Sequence, residues 1–124
     1  MDLILEKPDY EYFLRGANAW EGLVNDRRLT RSFLVAPDRL VEDWPVRDAG
    51  AMQPADLDAA LALEPEAILL GSGAAQVFPP AAVMAACLQR GVGLEVMTNA
   101  AVARTYTVMA SEQRRVVAAF ILPG

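Results

Sequence analysis

There is no histidine among the 124 residues. That excludes Ser-His and Cys-His catalysis, imidazole proton shuttles and histidine-ligated metals. Cysteine is nearly missing as well. Cys87 stands alone, so the chain can build neither a disulfide framework nor a thiolate zinc site. Lysine is reduced to Lys7, and the other ten cations are arginines; against 16 acidic residues they leave a net charge of −5. A general nucleic-acid binder needs a positive field over its surface, and none is available overall. The apolar run Pro79–Leu88 is too short to cross a bilayer. Met1–Lys7 shows neither the basic start and long apolar stretch of a signal peptide nor the arginine-rich character of a mitochondrial presequence. The expectations are therefore a cytoplasmic location and no transmembrane segment. No cofactor, no metal and no nucleic-acid partner is expected.

What is present fits one folded domain. Hydrophobic residues make up 54% and charged residues 22%, which excludes intrinsic disorder. At this length one core suffices, and a second domain has no room. The single domain spans 1–124, with residues 1–20 as an N-terminal extension carrying a short strand and 29–123 as the core.

The first third reads as β structure. Tyr10–Leu14 is a short aromatic-rich run, and Asn25-Asp26 is a turn candidate after Leu23-Val24. Leu29–Ala36 reads as one strand that starts at an edge and ends in the core. Pro37-Asp38 signals a turn. Leu40–Val46 reads as another strand, broken by Pro45, because the residue before proline, Trp44, is pushed to extended geometry.

The period then changes. Pro54–Leu63 reads as a helix with proline at its first position, stopped by Pro65. Ala67–Leu70 is a wholly apolar strand, the pattern of a sheet covered on both faces, and Gly71-Ser72-Gly73 ends it. Pro79-Pro80 opens a second helix with Val83, Met84, Cys87 and Leu88 inward, and Gly91 stands where a C-terminal cap belongs. Val92–Met97 is the next strand. Thr98 or Asn99 caps a third helix with Val102, Tyr106 and Met109 on one face. Ser111–Arg114 is a polar turn, and Val116–Leu122 is a last apolar strand whose direction the sequence leaves open. Strands alternating with helices imply α/β architecture with a largely parallel sheet and right-handed crossovers.

Three places could carry chemistry. Gly71-Ser72-Gly73-Ala74-Ala75-Gln76 follows a strand, where open α/β sheets bind ligands and backbone N–H groups can cradle an anion. It matches neither a dinucleotide fingerprint, which wants glycine at 76, nor a phosphate loop, which wants Gly-Lys. The plain alternative is a glycine-enabled turn. Glu95 lies in Val92–Met97, an otherwise apolar strand that reads as threading the middle of the layered fold. If both faces are covered, its carboxylate needs a partner, with Arg104, Thr98, Thr105, Tyr106 and Arg90 as candidates. It is then either a structural ion pair or a pocket carboxylate of raised pKa. Cys87, on an apolar helix face, reads as an inert core thiol. Trp20 and Trp44 would mark a docking surface if exposed. Asp38, Glu42, Asp43 and Asp48 around Trp44 lack calcium-loop spacing and read as a solvated acidic face.

One ordered series stands out: Leu63-Glu64-Pro65, the apolar strand, Gly71-Ser72-Gly73, Arg90-Gly91-Val92, Glu95-Val96-Met97-Thr98, Ala101, Thr105-Tyr106, then Val116–Pro123. With Trp44 and Val46 in the place of a recurring Trp-x-Val, it resembles the Mth-type domain family of unknown function from about Leu29 to Pro123. That family includes bacterial and archaeal stand-alone proteins, the mitochondrial assembly factor 3 of respiratory complex I and an adipogenesis-associated relative. The resemblance implies a three-layer α/β fold with a central mixed sheet whose last strand is antiparallel to the others. The family usually has Gly-Thr-Gly where Gly71-Ser72-Gly73 stands, and often Asn where Thr107 stands. It carries no established reaction, and its mitochondrial members imply assembly through protein contacts.

Two expectations follow. The first is a non-enzymatic interaction or assembly protein with a protein partner, docking through an exposed patch at Trp44 or the Gly71–Phe78 loop. The second is a small-molecule binder or unrecognised enzyme, with Glu95 as base or acceptor and Ser72 and Arg104 as anion contacts.

Overall fold

A computed structural model describes residues 10–124; Met1–Lys7 and what was read from it lie outside them. A small antiparallel meander comes first: β1 (Leu14–Ala17), β2 (Gly22–Val24) and β3 (Arg27–Leu29). Asn25-Asp26 makes the expected turn, with Asn25 at φ 52°, a left-handed conformation that asparagine tolerates. Its side chain also accepts from Phe13 N–H at 3.0 Å and donates to Glu11 C=O at 3.0 Å. The strand expected at Tyr10–Leu14 is displaced along the chain to β1.

The second sheet has five strands in the order β5-β4-β8-β6-β7: β5 (Arg39–Val41), β4 (Phe33–Ala36), β8 (Val116–Phe120), β6 (Ala67–Gly71) and β7 (Gly93–Met97). β6, β7 and β8 run parallel, and β4 and β5 are antiparallel neighbours. The last strand is thus antiparallel to β4 alone. Its parallel pairing with β6 corrects the direction that the resemblance implied. The reason is the helix α3 (Asn99–Ser111), which carries the chain back across the sheet as a crossover.

Alternation along the central strands divides the core. Val117, Ala119, Ile68, Leu70, Leu34 and Val96 face one layer, built from Trp44–Leu61 and α2 (Ala81–Gln89). Val116, Ala118, Phe120, Leu69, Phe33 and Val35 face the other, built from α3 and the meander. This is the three-layer arrangement expected, and it explains why β6 and β8 read as unbroken apolar runs. Phe33 and Phe120 stack across β4 and β8 at 4.9 Å.

Three boundaries and one inward-facing residue differ from the reading. Leu29–Ala36 is two strands, not one, because the chain leaves the meander at Thr30–Ser32 and enters the large sheet. Buried Ser32 pins that crossing by accepting from Leu122 N–H at 2.8 Å. Leu40–Val46 is strand only to Val41, and Trp44–Val46 continues as extended chain. Pro54–Leu63 is a 3-10 turn (Pro54–Leu57) leading into the one-turn helix α1 (Asp58–Leu61). Leu88, expected inward, is 79% exposed, while Val83 and Cys87 on the same helix are fully buried. The end of α2 is as read: Gly91 sits at φ 70°, with Gly91 N–H on Leu88 C=O and Val92 N–H on Cys87 C=O, each at 3.0 Å. That is a Schellman cap.

Candidate functional site

β6 delivers Gly71 to the C-terminal end of the parallel strands, where α/β sheets place their ligands. The loop that follows is held by two side chains. Ser72 N–H extends the ladder to Met97 C=O at 3.0 Å. The Ser72 hydroxyl donates to Ala75 C=O at 2.7 Å and accepts from Val77 N–H at 2.9 Å. Both roles fold the loop on itself, so this hydroxyl is committed to structure. Gln76 reaches the exposed edge and donates to Val96 C=O at 2.8 Å.

The organising residue is Asn99, which is fully buried. Its Oδ1 accepts from Gly73 N–H at 3.1 Å, and its own N–H donates to Gly73 C=O at 2.9 Å. Its Nδ2 donates to Asn18 C=O at 2.9 Å and to Ile121 C=O at 3.1 Å. One amide therefore fastens three segments together: the Gly71–Gly73 loop, the β1–β2 turn and the end of β8. Burying an amide demands such full pairing. Gly71 is required beneath it, since a Cβ there would collide with Asn99 Oδ1. Gly73 takes φ 107°, a conformation open to glycine. The sequence offered Thr98 and Asn99 as competing caps for one helix. Thr98 does the capping, accepting from Ala101 N–H at 3.3 Å, which leaves Asn99 free for this role. That surplus of cap candidates was the available signal.

Asn18 continues the network, its Oδ1 accepting from Trp20 N–H at 2.8 Å and Glu21 N–H at 3.0 Å. This turn holds Trp20 outward, 70% exposed, at the same end of the molecule as Val77 (41%) and Phe78 (59%) on the anchored loop.

The other predicted residues are dispersed. Glu95 is solvent-exposed on β7, an edge strand rather than a central one, so burial exerts no demand for a partner. No ion pair joins it to Arg104 or Arg90 among the described residues. Arg104 is exposed on α3, and Thr105 Oγ1 lies 3.6 Å from Met97 Sδ. Tyr106 sits two turns along α3 from Asn99, fully buried, donating to Tyr12 C=O at 2.7 Å. Burial pushes its phenol well above the usual tyrosine range, helped by Tyr10 and Asp38. Trp44 is 4% exposed, with Nε1 donating to Asp56 C=O at 2.9 Å; it is a core residue and cannot dock a partner. Cys87 is buried, and desolvation raises its thiol despite Arg90. In the acidic stretch, Glu42 pairs with Arg27 at 2.6 Å, Asp43 with Arg31 at 3.6 Å, and Asp48 accepts from Gly50 N–H at 3.0 Å.

A mixed five-stranded sheet between two layers, with a glycine loop locked by a buried amide, defines the class: a three-layer α/β domain. Residues 19–121 match the family described as Protein of unknown function (DUF498/DUF598), and the chain belongs to that family. A Xanthomonas campestris protein solved by NMR is 56% identical over 100% of this chain and 94% of its own, with a TM-score of 0.84. A Bordetella pertussis protein, described as a Mth938-like domain, is 26% identical over 100% of this chain and 94% of its own, also with a TM-score of 0.84. A curated relative from Francisella tularensis subsp. holarctica, called a 13 kDa major membrane protein, is 30% identical over 71 residues, 57% of this chain. The match spans 58% of that relative's length. Among the described residues no helix is long and apolar enough to cross a membrane.

Proposed function

We propose that this protein is a non-enzymatic interaction module, of the kind that assembles with a protein partner. The observation that carries this reading is the exposure of Trp20, Val77 and Phe78 on two segments that the Asn99 amide ties to one sheet end. Large apolar side chains gathered on preorganised backbone are the anchors from which protein interfaces draw most of their affinity. The Gly71-Ser72-Gly73 loop and Thr98 form its base. The resemblance to assembly factors of respiratory complex I agrees with a contact role. A cytoplasmic location belongs to the same reading, and fractionation of the intact chain checks it; recovery with membranes would contradict that location.

The alternative, a small-molecule site formed by Glu95 with the glycine loop and Arg104, has less support. Glu95 is exposed on an edge strand, with no wall of side chains among the described residues to enclose a ligand beside it.

Site-specific photo-crosslinking in cells tests the proposal. With the reactive side chain at position 20 or 78, one dominant partner is expected. At Leu88, equally exposed on α2, that adduct should be missing. Equal labelling from all three positions would overturn the reading.

A further inference from the structure

The opposite end of the sheet holds a groove of about 610 Å³ that the interaction reading does not use. It opens because the sheet splays there. The β4–β8 ladder ends at Val35 and Ala118, whereas β6 follows β8 down to Val116. Val116 and Val117 therefore keep a neighbouring strand on one side only. Val116 is in phase with Ala118 and turns its N–H and C=O toward the β4 side. In register there stands Pro37, which has no N–H to give, and the Pro37 carbonyl accepts instead from Glu11 and Tyr12 N–H at 2.9 and 3.0 Å. The walls are mixed: Pro37, Leu63 and Pro65 stand beside Thr107, Ser111 and Gln113.

One cation is built into the rim. Arg115 donates from Nε to Glu64 C=O at 2.9 Å and from Nη2 to Leu63 C=O at 3.3 Å. Glu64 takes φ 55° in that loop. The guanidinium is thus fixed by two neutral carbonyls, and its remaining N–H donors have no partner among the described residues. Its neighbour Arg114 is tied to Glu66 at 2.8 Å, but among the described residues no carboxylate pairs with Arg115. Asp38 lines the groove from the β4–β5 turn, across β8 from the Leu63–Glu64 loop. It would repel a ligand's negative end and so orient it toward Arg115.

We propose that this groove binds a small organic carboxylate with an apolar tail, the carboxylate on Arg115 and the tail along Pro37 and Leu63. A volume of this size suits a small molecule, and a fixed guanidinium is the side chain best shaped for a carboxylate.

The test is a 15N–1H NMR titration of the full chain with octanoate, and with acetate and 1-octanol as controls for charge and tail. Octanoate should give saturable shifts centred on Arg115, Val116 and Val117, and each control should bind at least about tenfold more weakly. Arg115→Gln should weaken octanoate about tenfold. Ser111→Trp, which fills the groove from an exposed position on α3, should abolish the response and covers the case in which Arg115→Gln does not fold. Octanol binding as tightly as octanoate, shifts centred elsewhere, no saturation with the wild type, or undiminished octanoate binding by a folded Arg115→Gln or Ser111→Trp variant would overturn the proposal.

Discussion

At the scale of the residue, Asn99 and Tyr106 carry the sharpest expectations. Asn99→Ala would leave Gly73 N–H and the carbonyls of Asn18 and Ile121 without their partner. Unpaired buried groups cost about 1–3 kcal/mol each, so a loss of roughly 2–4 kcal/mol in a urea melt is expected. Asn99→Asp keeps the shape yet sets a second oxygen against two carbonyl acceptors, and it should be worse than alanine at neutral pH. Tyr106 makes stability pH-dependent. Its folded pKa is raised above the ordinary value of 10.0, so the unfolded chain gives up its proton first. Unfolding free energy should begin to fall near pH 9, where the unfolded chain's Cys87 thiol, raised by burial in the fold, loses its proton, and fall more steeply above about pH 10 as Tyr106 does. Urea melts from pH 7 to 11 check this. Tyr106→Phe should flatten much of the alkaline slope while costing about 1 kcal/mol at pH 7 for the lost bond to Tyr12. Tyr10 and Cys87, both raised by burial, supply the remaining slope.

At the scale of the element, Gly91 and Gly71 separate two uses of glycine. Gly91→Ala meets no neighbour but must hold φ 70°. It should lose about 1 kcal/mol by thermal melting without local rearrangement. Gly71→Ala instead drives a methyl into the Asn99 amide, so its damage should spread to the Gly73 loop and the Trp20 turn in an amide-exchange map. The elements themselves show what the chain could tell. β6, α2 with its Gly91 cap, α3 and β8 were legible because both-face burial and helix periodicity leave continuous local patterns. The break at Thr30–Ser32 was not, because Leu29 and Phe33 are both apolar and only a long-range bond from Ser32 to Leu122 separates their sheets. β7 looked central for the same reason that β6 did. Val92, Leu94 and Val96 pack inward on one layer, and pairing on a single side leaves no trace in composition. That is why Glu95 was credited with burial it does not have.

At the scale of the whole molecule, the two ends of the sheet differ in character. One end exposes Trp20, Val77 and Phe78 on segments fastened by a buried amide; the other opens into a groove beside Arg115. The first end was partly legible, since the glycine loop was in view, but docking was assigned to Trp44 rather than Trp20, whose exposure no local pattern shows, and the residue joining them was seen only as a cap. The groove was illegible, because it arises where one ladder stops two residues before its neighbour. The account rests most heavily on the Trp20–Phe78 end being a protein contact surface. Quantitative capture from cells with the tagged wild type, a Trp20→Ala/Phe78→Ala double variant and a Leu88→Ala control measures this directly, with all three checked for equal melting temperature. Because both substituted side chains are mostly exposed, the fold should be unaffected. The account predicts that the partner crosslinked at position 78 is recovered at least about tenfold less by the double variant and undiminished by Leu88→Ala. Equal recovery by all three proteins would contradict it.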